Sequence, residues 1–206
     1  MADASYVLNV SAIIPVVTID KPSHAVPLAR ALVEGGIGII ELTLRTESAL
    51  ESLRLIADEV PDILVGAGTI LTPAQADAAV ASGARFLVSP GVTVALLDHM
   101  LSLDVPVLPG VATVGEVMAV LERGLNAMKF FPAGPAGGPS YLAAIGAPIP
   151  QVQFCPTGGV SLSSAPEYLA LPNVSCVGGS WLTPRSLVEA EDWSGIARLA
   201  REASAL

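Results

Sequence analysis

Ala127-Met128-Lys129-Phe130-Phe131-Pro132 reads as a short β-strand with a single charge at its centre. An ammonium among Met128, Phe130 and Phe131 is costly unless it is paired or used. The chain holds only two lysines, and the other, Lys21, lies in the polar turn Asp20-Lys21-Pro22-Ser23. A chain that nearly avoids lysine thus keeps one in an apolar strand. A strand-end lysine snorkelling to solvent is the plain alternative, and the surrounding pattern decides between the two.

Outward from this strand the same unit repeats in both directions. Upstream, Val10–Ile19, Ile37–Thr43, Ile63–Ala67, Phe86–Ser89 and Val107–Leu108 read as strands, and downstream Val152–Cys155 and Val174–Val177 do. Helical periods lie between them, at His24–Glu34, Glu47–Val60, Pro73–Ser82, Thr93–Leu103, Thr113–Arg123 and Ser164–Leu171, with a loop and helix start over Gly137–Ile145 and Ser194–Ala203 closing the series. Their ends carry the expected signals. Ser23 is a candidate N-cap, Thr72-Pro73 pairs a cap with a first-turn proline, and Gly35-Gly36 and Gly83 stop helices. Short apolar strands alternating with helices predict a parallel sheet covered by helices. Eight such units predict an α/β fold of the (β/α)₈ TIM-barrel type, a single domain over residues 1–206. An open doubly wound sheet would want a glycine fingerprint after its first strand, and Ile19-Asp20-Lys21-Pro22 has no glycine.

In such barrels the chemistry sits at the C-terminal strand ends. Side chains alternate along a strand, so Glu41, Thr43 and Arg45 share one face, and Ala127, Lys129 and Phe131 share another. Met128 and Phe130 then face the helices, and Lys129 faces the barrel interior within reach of Glu41. A buried ion pair closing the barrel is the structural alternative, although such pairs are weak sources of stability. The last two strand ends read Thr157-Gly158-Gly159 and Gly178-Gly179-Ser180. Glycine pairs serve tight turns. They also bare backbone N–H groups for an anion, and this fold often binds phosphate after its last two strands.

Composition narrows the function further. A net charge of −9 argues against nucleic acid and anionic membranes as partners. Proline, glycine or charge interrupts every apolar run before membrane-spanning length. Met1–Ser5 has neither a basic nor an apolar leader region, which predicts no signal peptide. Without a secretion signal, Cys155 and Cys176 are expected as buried free thiols, and no Cys/His spacing suggests zinc. His24 and His99 fall in predicted helices and carry no assigned role.

These residues together resemble the class I 2-keto-3-deoxy-6-phosphogluconate (KDPG) aldolases, some of which also cleave 4-hydroxy-2-oxoglutarate. The likeness covers nearly the whole chain. Its carriers are Glu41-Leu42-Thr43-Leu44-Arg45-Thr46, Val65-Gly66-Ala67-Gly68-Thr69, Ser89-Pro90-Gly91, Lys129-Phe130-Phe131-Pro132-Ala133, Phe154-Cys155-Pro156-Thr157-Gly158-Gly159 and Gly178-Gly179-Ser180-Trp181. The resemblance implies that Lys129 forms the Schiff base and Glu41 transfers protons. It implies that Arg45, Thr69 and Pro90 bind the pyruvate end. Thr157, Gly158, Gly159, Gly179 and Ser180 then serve the hydroxyl and phosphate end. It further implies no metal and no cofactor beyond the covalent Schiff base. The partners it implies are a 2-keto acid and a phosphorylated aldehyde, in a cytoplasmic homotrimer. Gly134 departs from an acidic residue common in relatives, and Gln153 from an arginine. Two other readings stand beside this one. A metal-free phosphosugar isomerase or synthase on the same barrel would need the glycine loops but not Lys129. A non-catalytic scaffold barrel would need neither.

Overall fold

The computed structural model describes residues 4–206. The strands are β1 (Ile13–Val17), β2 (Ile39–Thr43), β3 (Leu64–Gly68), β4 (Leu87–Val88), β5 (Val107–Leu108), β6 (Gly110–Val111), β7 (Ala127–Phe130), β8 (Gln153–Pro156) and β9 (Val177–Gly179). The helices are α1 (Ser5–Leu8), α2 (Ala25–Glu34), α3 (Ala49–Glu59), α4 (Pro73–Ala81), α5 (Val94–Leu101), α6 (Val114–Leu121), α7 (Gly138–Gly146), α8 (Ala165–Leu169), α9 (Arg185–Glu189) and α10 (Trp193–Ser204).

The strands are parallel wherever they pair, in a curled sheet of order β5-β4-β3-β2-β1-β9 and a shorter one of order β6-β7-β8. The expected fifth strand is split. Pro109 separates β5, which pairs with β4, from β6, which pairs with β7. Proline has no N–H for a ladder, but its carbonyl accepts from Lys129 N at 3.0 Å. At the other side, isolated parallel bridges Phe154↔Val174 and Thr157↔Gly178 link β8 to the segment carrying β9. The first and last strands meet as well, with Ile13 opposite Val177 and Pro15 opposite Gly179.

Helices cover the outer face because the strands bury side chains on both sides. Phe130, directed outward by the period of two, stacks on Tyr141 of α7 and meets Phe154 edge-on. At the C-terminus of α2, Gly35 leaves no room for a β-carbon because Ala200 of α10 lies against it. Three threonines cap as side-chain acceptors. Thr72 Oγ1 accepts from Gln75 N, Thr93 Oγ1 from Leu96 N, and Thr113 forms a reciprocal capping box with Glu116.

Ser23 is not a cap. Pro22 begins a 3₁₀ turn through His24 two residues earlier than expected, and α2 starts at Ala25 with no side-chain cap. His24 lies in that turn, buried edge-on against Trp193, with Nε2 3.4 Å from Glu191 Oε1. The short helices α1 and α9 carry too few turns for a hydrophobic period to reveal them. Cys155 and Cys176 are free and buried. A hydrogen bond with Cys155, with burial added, raises the Cys176 thiol well above the usual range. No helix among the described residues is long and apolar enough to cross a membrane.

Candidate active site

β2 and β7 bring the two charges together. Lys129 Nζ donates to Glu41 Oε1 at 2.9 Å, and both side chains are about 95% buried, at 6% and 4% exposure. The period of two places both inside the sheet's concave face, as the sequence predicts. The pair is enclosed from several directions. Gly68 of β3 lies against the Glu41 carboxylate. The Phe131 ring centroid lies 5.5 Å from Nζ, a cation–π arrangement. Gly110, paired in register with Lys129, lies against the backbone of Pro90.

Arg45 continues the Glu41 face two steps further on and is exposed at the mouth. Its Nε donates to Thr69 Oγ1 at 3.2 Å. Thr69 has φ +61°, a left-handed backbone that a β-branched residue rarely adopts. This turn aims its hydroxyl at Arg45. On the inner side of the same face, Thr43 Oγ1 donates to Val17 O at 3.0 Å and lies 2.8 Å from Thr18 Oγ1, which ties β2 to the end of β1.

Beside the pair lies a cleft of about 190 Å³ that takes in Arg45, Phe131, Thr157–Val160 and Gly178–Ser180. Gly158 and Gly159 have φ +93° and +80°, conformations that glycine adopts without penalty. The loop is braced by the segment after β7, where Ala133 N donates to Thr157 O at 2.8 Å and Gly134 N to Gly158 O at 2.9 Å. Gly178 and Gly179 are extended in β9, and their bareness is filled. The Thr157 side chain lies over Gly178 and the Trp181 indole over Gly179.

The structure therefore gathers Lys129, Glu41, Arg45, Thr69, Thr157, Gly158, Gly159, Gly179 and Ser180 at one end of the sheet. Pro90 comes near through its backbone, which lies against Gly110, the residue paired in register with Lys129. Phe131 was not among the sequence's site candidates, although it shares the Lys129 face. Val16 and Thr18 at the end of β1 also line the cleft, and no polar or glycine signal marks Val16. Among the described residues no group of three or more His, Cys, Asp and Glu is gathered as for a metal ion.

A family model for the KDPG and KHG aldolases matches residues 5–199. The 2-dehydro-3-deoxy-phosphogluconate aldolase of Dickeya dadantii is 50% identical over 98% of this chain and 95% of its own. The KHG/KDPG aldolase of Escherichia coli is 48% identical over 97% and 94%. The crystal structure of a KDPG aldolase from Legionella pneumophila, with pyruvate captured at low pH as a covalent carbinolamine, superposes with a TM-score of 0.96 at 47% identity, covering 98% of each chain. An enclosed lysine–glutamate pair beside a glycine-lined cleft, on a chain this similar end to end, places the protein in the KDPG and KHG aldolase family.

Proposed function

We propose that this chain is a class I aldolase that cleaves 2-keto-3-deoxy-6-phosphogluconate to pyruvate and D-glyceraldehyde 3-phosphate. By the same steps it cleaves 4-hydroxy-2-oxoglutarate to pyruvate and glyoxylate. The observation that carries this reading is the 2.9 Å contact between Lys129 Nζ and Glu41 Oε1 in a buried setting. An isomerase on the same barrel has no chemical use for it, and in a scaffold it would serve stability alone.

The contact gives each proton a place to go. Nζ passes a proton to the Glu41 carboxylate and attacks the C2 ketone, forming a carbinolamine. Glu41 returns that proton to the departing hydroxyl, so water leaves and an iminium remains. The carboxylate, ionised again, takes the proton of the C4 hydroxyl. The C3–C4 electron pair moves into the iminium, giving an enamine and releasing the aldehyde. Glu41 then protonates C3, and water releases pyruvate from Lys129. Such acid–base help contributes roughly 10²–10⁴-fold.

Arg45, held by Thr69, binds the pyruvate carboxylate through its guanidinium, and Pro90 walls the same end. Thr157 faces the substrate hydroxyls. The Gly158-Gly159 turn, Gly179 and Ser180 hold the phosphate, a role supported by the left-handed glycines and by the exposed Ser180 on the cleft. The chain acts as a single domain, and its strands close into one eight-stranded barrel. The chain's passage through Pro109 and the two isolated bridges near β9 support closure. Assembly is homotrimeric. The exposed apolar side chains Leu71 just before α4, Val94 at the start of α5, and Val114 and Met118 on α6 support a contact there. The phosphorylated substrate, confined by its charge, makes this a cytoplasmic enzyme.

The test is mass spectrometry after incubation with pyruvate and borohydride. One label at Lys129 is expected, and a label at Lys21, or none, removes the reading. Sedimentation of Met118→Glu beside wild type tests assembly; a trimer in both would move the contact elsewhere.

A further inference from the structure

Glu41 is held from two sides, and only one of them is Lys129. The other is a bare backbone. A β-carbon built on Gly68 would overlap Glu41 Oε1 and stand 2.6 and 2.7 Å from Cγ and Cδ. Gly68 does not owe its identity to its backbone, because its φ is not among the left-handed ones. What it supplies is room, and the room is taken by the carboxylate. Two residues earlier on the same face, Gly66 leaves room for the Phe86 ring. The spacing of two thus allots one gap to the core and one to the site.

We propose that Gly68 is a positioning residue, which sets the Glu41 carboxylate against Lys129 Nζ and so fixes where protons are delivered. This rests on the Schiff-base reading of Lys129 and Glu41. A methyl group at 68 meets the Glu41 side chain from Cγ to the carboxylate rather than fixed backbone, so it is the side chain that must shift. The carboxylate moves and the sheet stays. A displacement of about 1 Å in reacting groups costs on the order of 10²-fold.

The measurements are exchange of the pyruvate methyl protons into deuterated water, borohydride trapping of pyruvate at Lys129, and thermal melts. Gly68→Ala is expected to slow exchange by roughly 10²-fold or more while trapping at Lys129 reaches the wild-type extent. Melts of Gly68→Ala are also compared in wild-type and Glu41→Ala backgrounds. The methyl should lower the melting temperature with Glu41 present and not with Glu41 gone, because the vacated space receives it. Unchanged exchange, or the same loss of stability in both backgrounds, overturns the inference. If Gly68→Ala does not fold, the Glu41→Ala comparison still decides. A double variant as stable as Glu41→Ala supports the contact, and an unfolded one refutes it. Absence of both trapping and exchange in wild type fails the Schiff-base reading and takes this inference with it. Intact wild-type exchange with an indifferent Gly68→Ala fails the positioning role alone.

Discussion

Lys129 and Glu41 stand 88 residues apart in the chain and 2.9 Å apart in space, on strands of different sheets. A pair this enclosed has two uses that experiment can separate. If it only holds the structure, removing the carboxylate's charge unbalances a buried ammonium and stability suffers. If it transfers protons, the amine still condenses with pyruvate, more slowly because solvent must carry the proton, and C–C cleavage fails. Glu41→Gln is expected to keep borohydride labelling at Lys129 and to lose roughly 10²–10⁴-fold in C–C cleavage. Normal turnover by a less stable variant would assign the pair to structure.

Thr69 is expected to trade stability for binding. Its left-handed backbone costs on the order of 1–3 kcal/mol for a non-glycine residue, and its hydroxyl accepts from Arg45. Thr69→Gly removes both. The melting temperature should rise by a few degrees, net of the glycine's greater freedom when unfolded. The pyruvate concentration needed for half-maximal trapping should rise by roughly 2–10-fold, the value of one ordinary hydrogen bond. A lower melting temperature would show that the turn is not strained.

Asp192 gives the clearest dependence on pH. It caps α10, accepting from Gly195 N and from Ser194 Oγ, both at 2.9 Å. The backbone hydrogen bond from Gly195, then that from Ser194, hold its carboxyl below the ordinary 3.8. A group with a depressed folded value stabilises above its unfolded value, and loses that contribution as pH falls through the folded one. Asp192→Ala should therefore melt a few degrees below wild type at pH 7. The gap should narrow only below the ordinary carboxylate value. A gap that persists unchanged in strong acid would mean that packing, not the charged cap, is responsible.

The sequence carries the site because catalysis in this fold uses strand ends, where the period of two fixes which side chains meet. Alternation gives Glu41 and Arg45 a shared face and turns Lys129 inward, while the scarcity of lysine singles out Lys129. Contacts between neighbouring strands were not. The split of the fifth strand at Pro109 depends on which neighbour each half finds, and the sequence carries no register. The backbone of Thr69 was hidden because threonine is a poor left-handed residue. Ser23 misled for a local reason, since Pro22 starts a tighter turn that uses up the capping position. The glycines were legible as a class but not individually. Gly158 and Gly159 answer to backbone shape, whereas Gly68 and Gly179 answer to side chains from elsewhere in the chain.

That division separates two substitutions that the sequence would treat alike. Gly179 and Ser180 are adjacent and both line the cleft. The Trp181 indole occupies the space over Gly179, with no flexible end to swing aside. Gly179→Ala must displace that ring, so it should lower the melting temperature and depress activity on every substrate alike. Ser180→Ala removes one exposed hydroxyl and little volume, so stability should hold. A hydrogen bond to a charged group is worth about 1.5–3 kcal/mol, which predicts a loss in kcat/KM of roughly one to two decades on the phosphorylated substrate. 4-Hydroxy-2-oxoglutarate carries no phosphate and should be nearly unaffected by Ser180→Ala. The measurement is kcat/KM on both substrates, with a melt of each variant. Equal losses on the two substrates in Ser180→Ala would mean that Ser180 shapes the mouth of the cleft, and no loss on either would place the phosphate elsewhere.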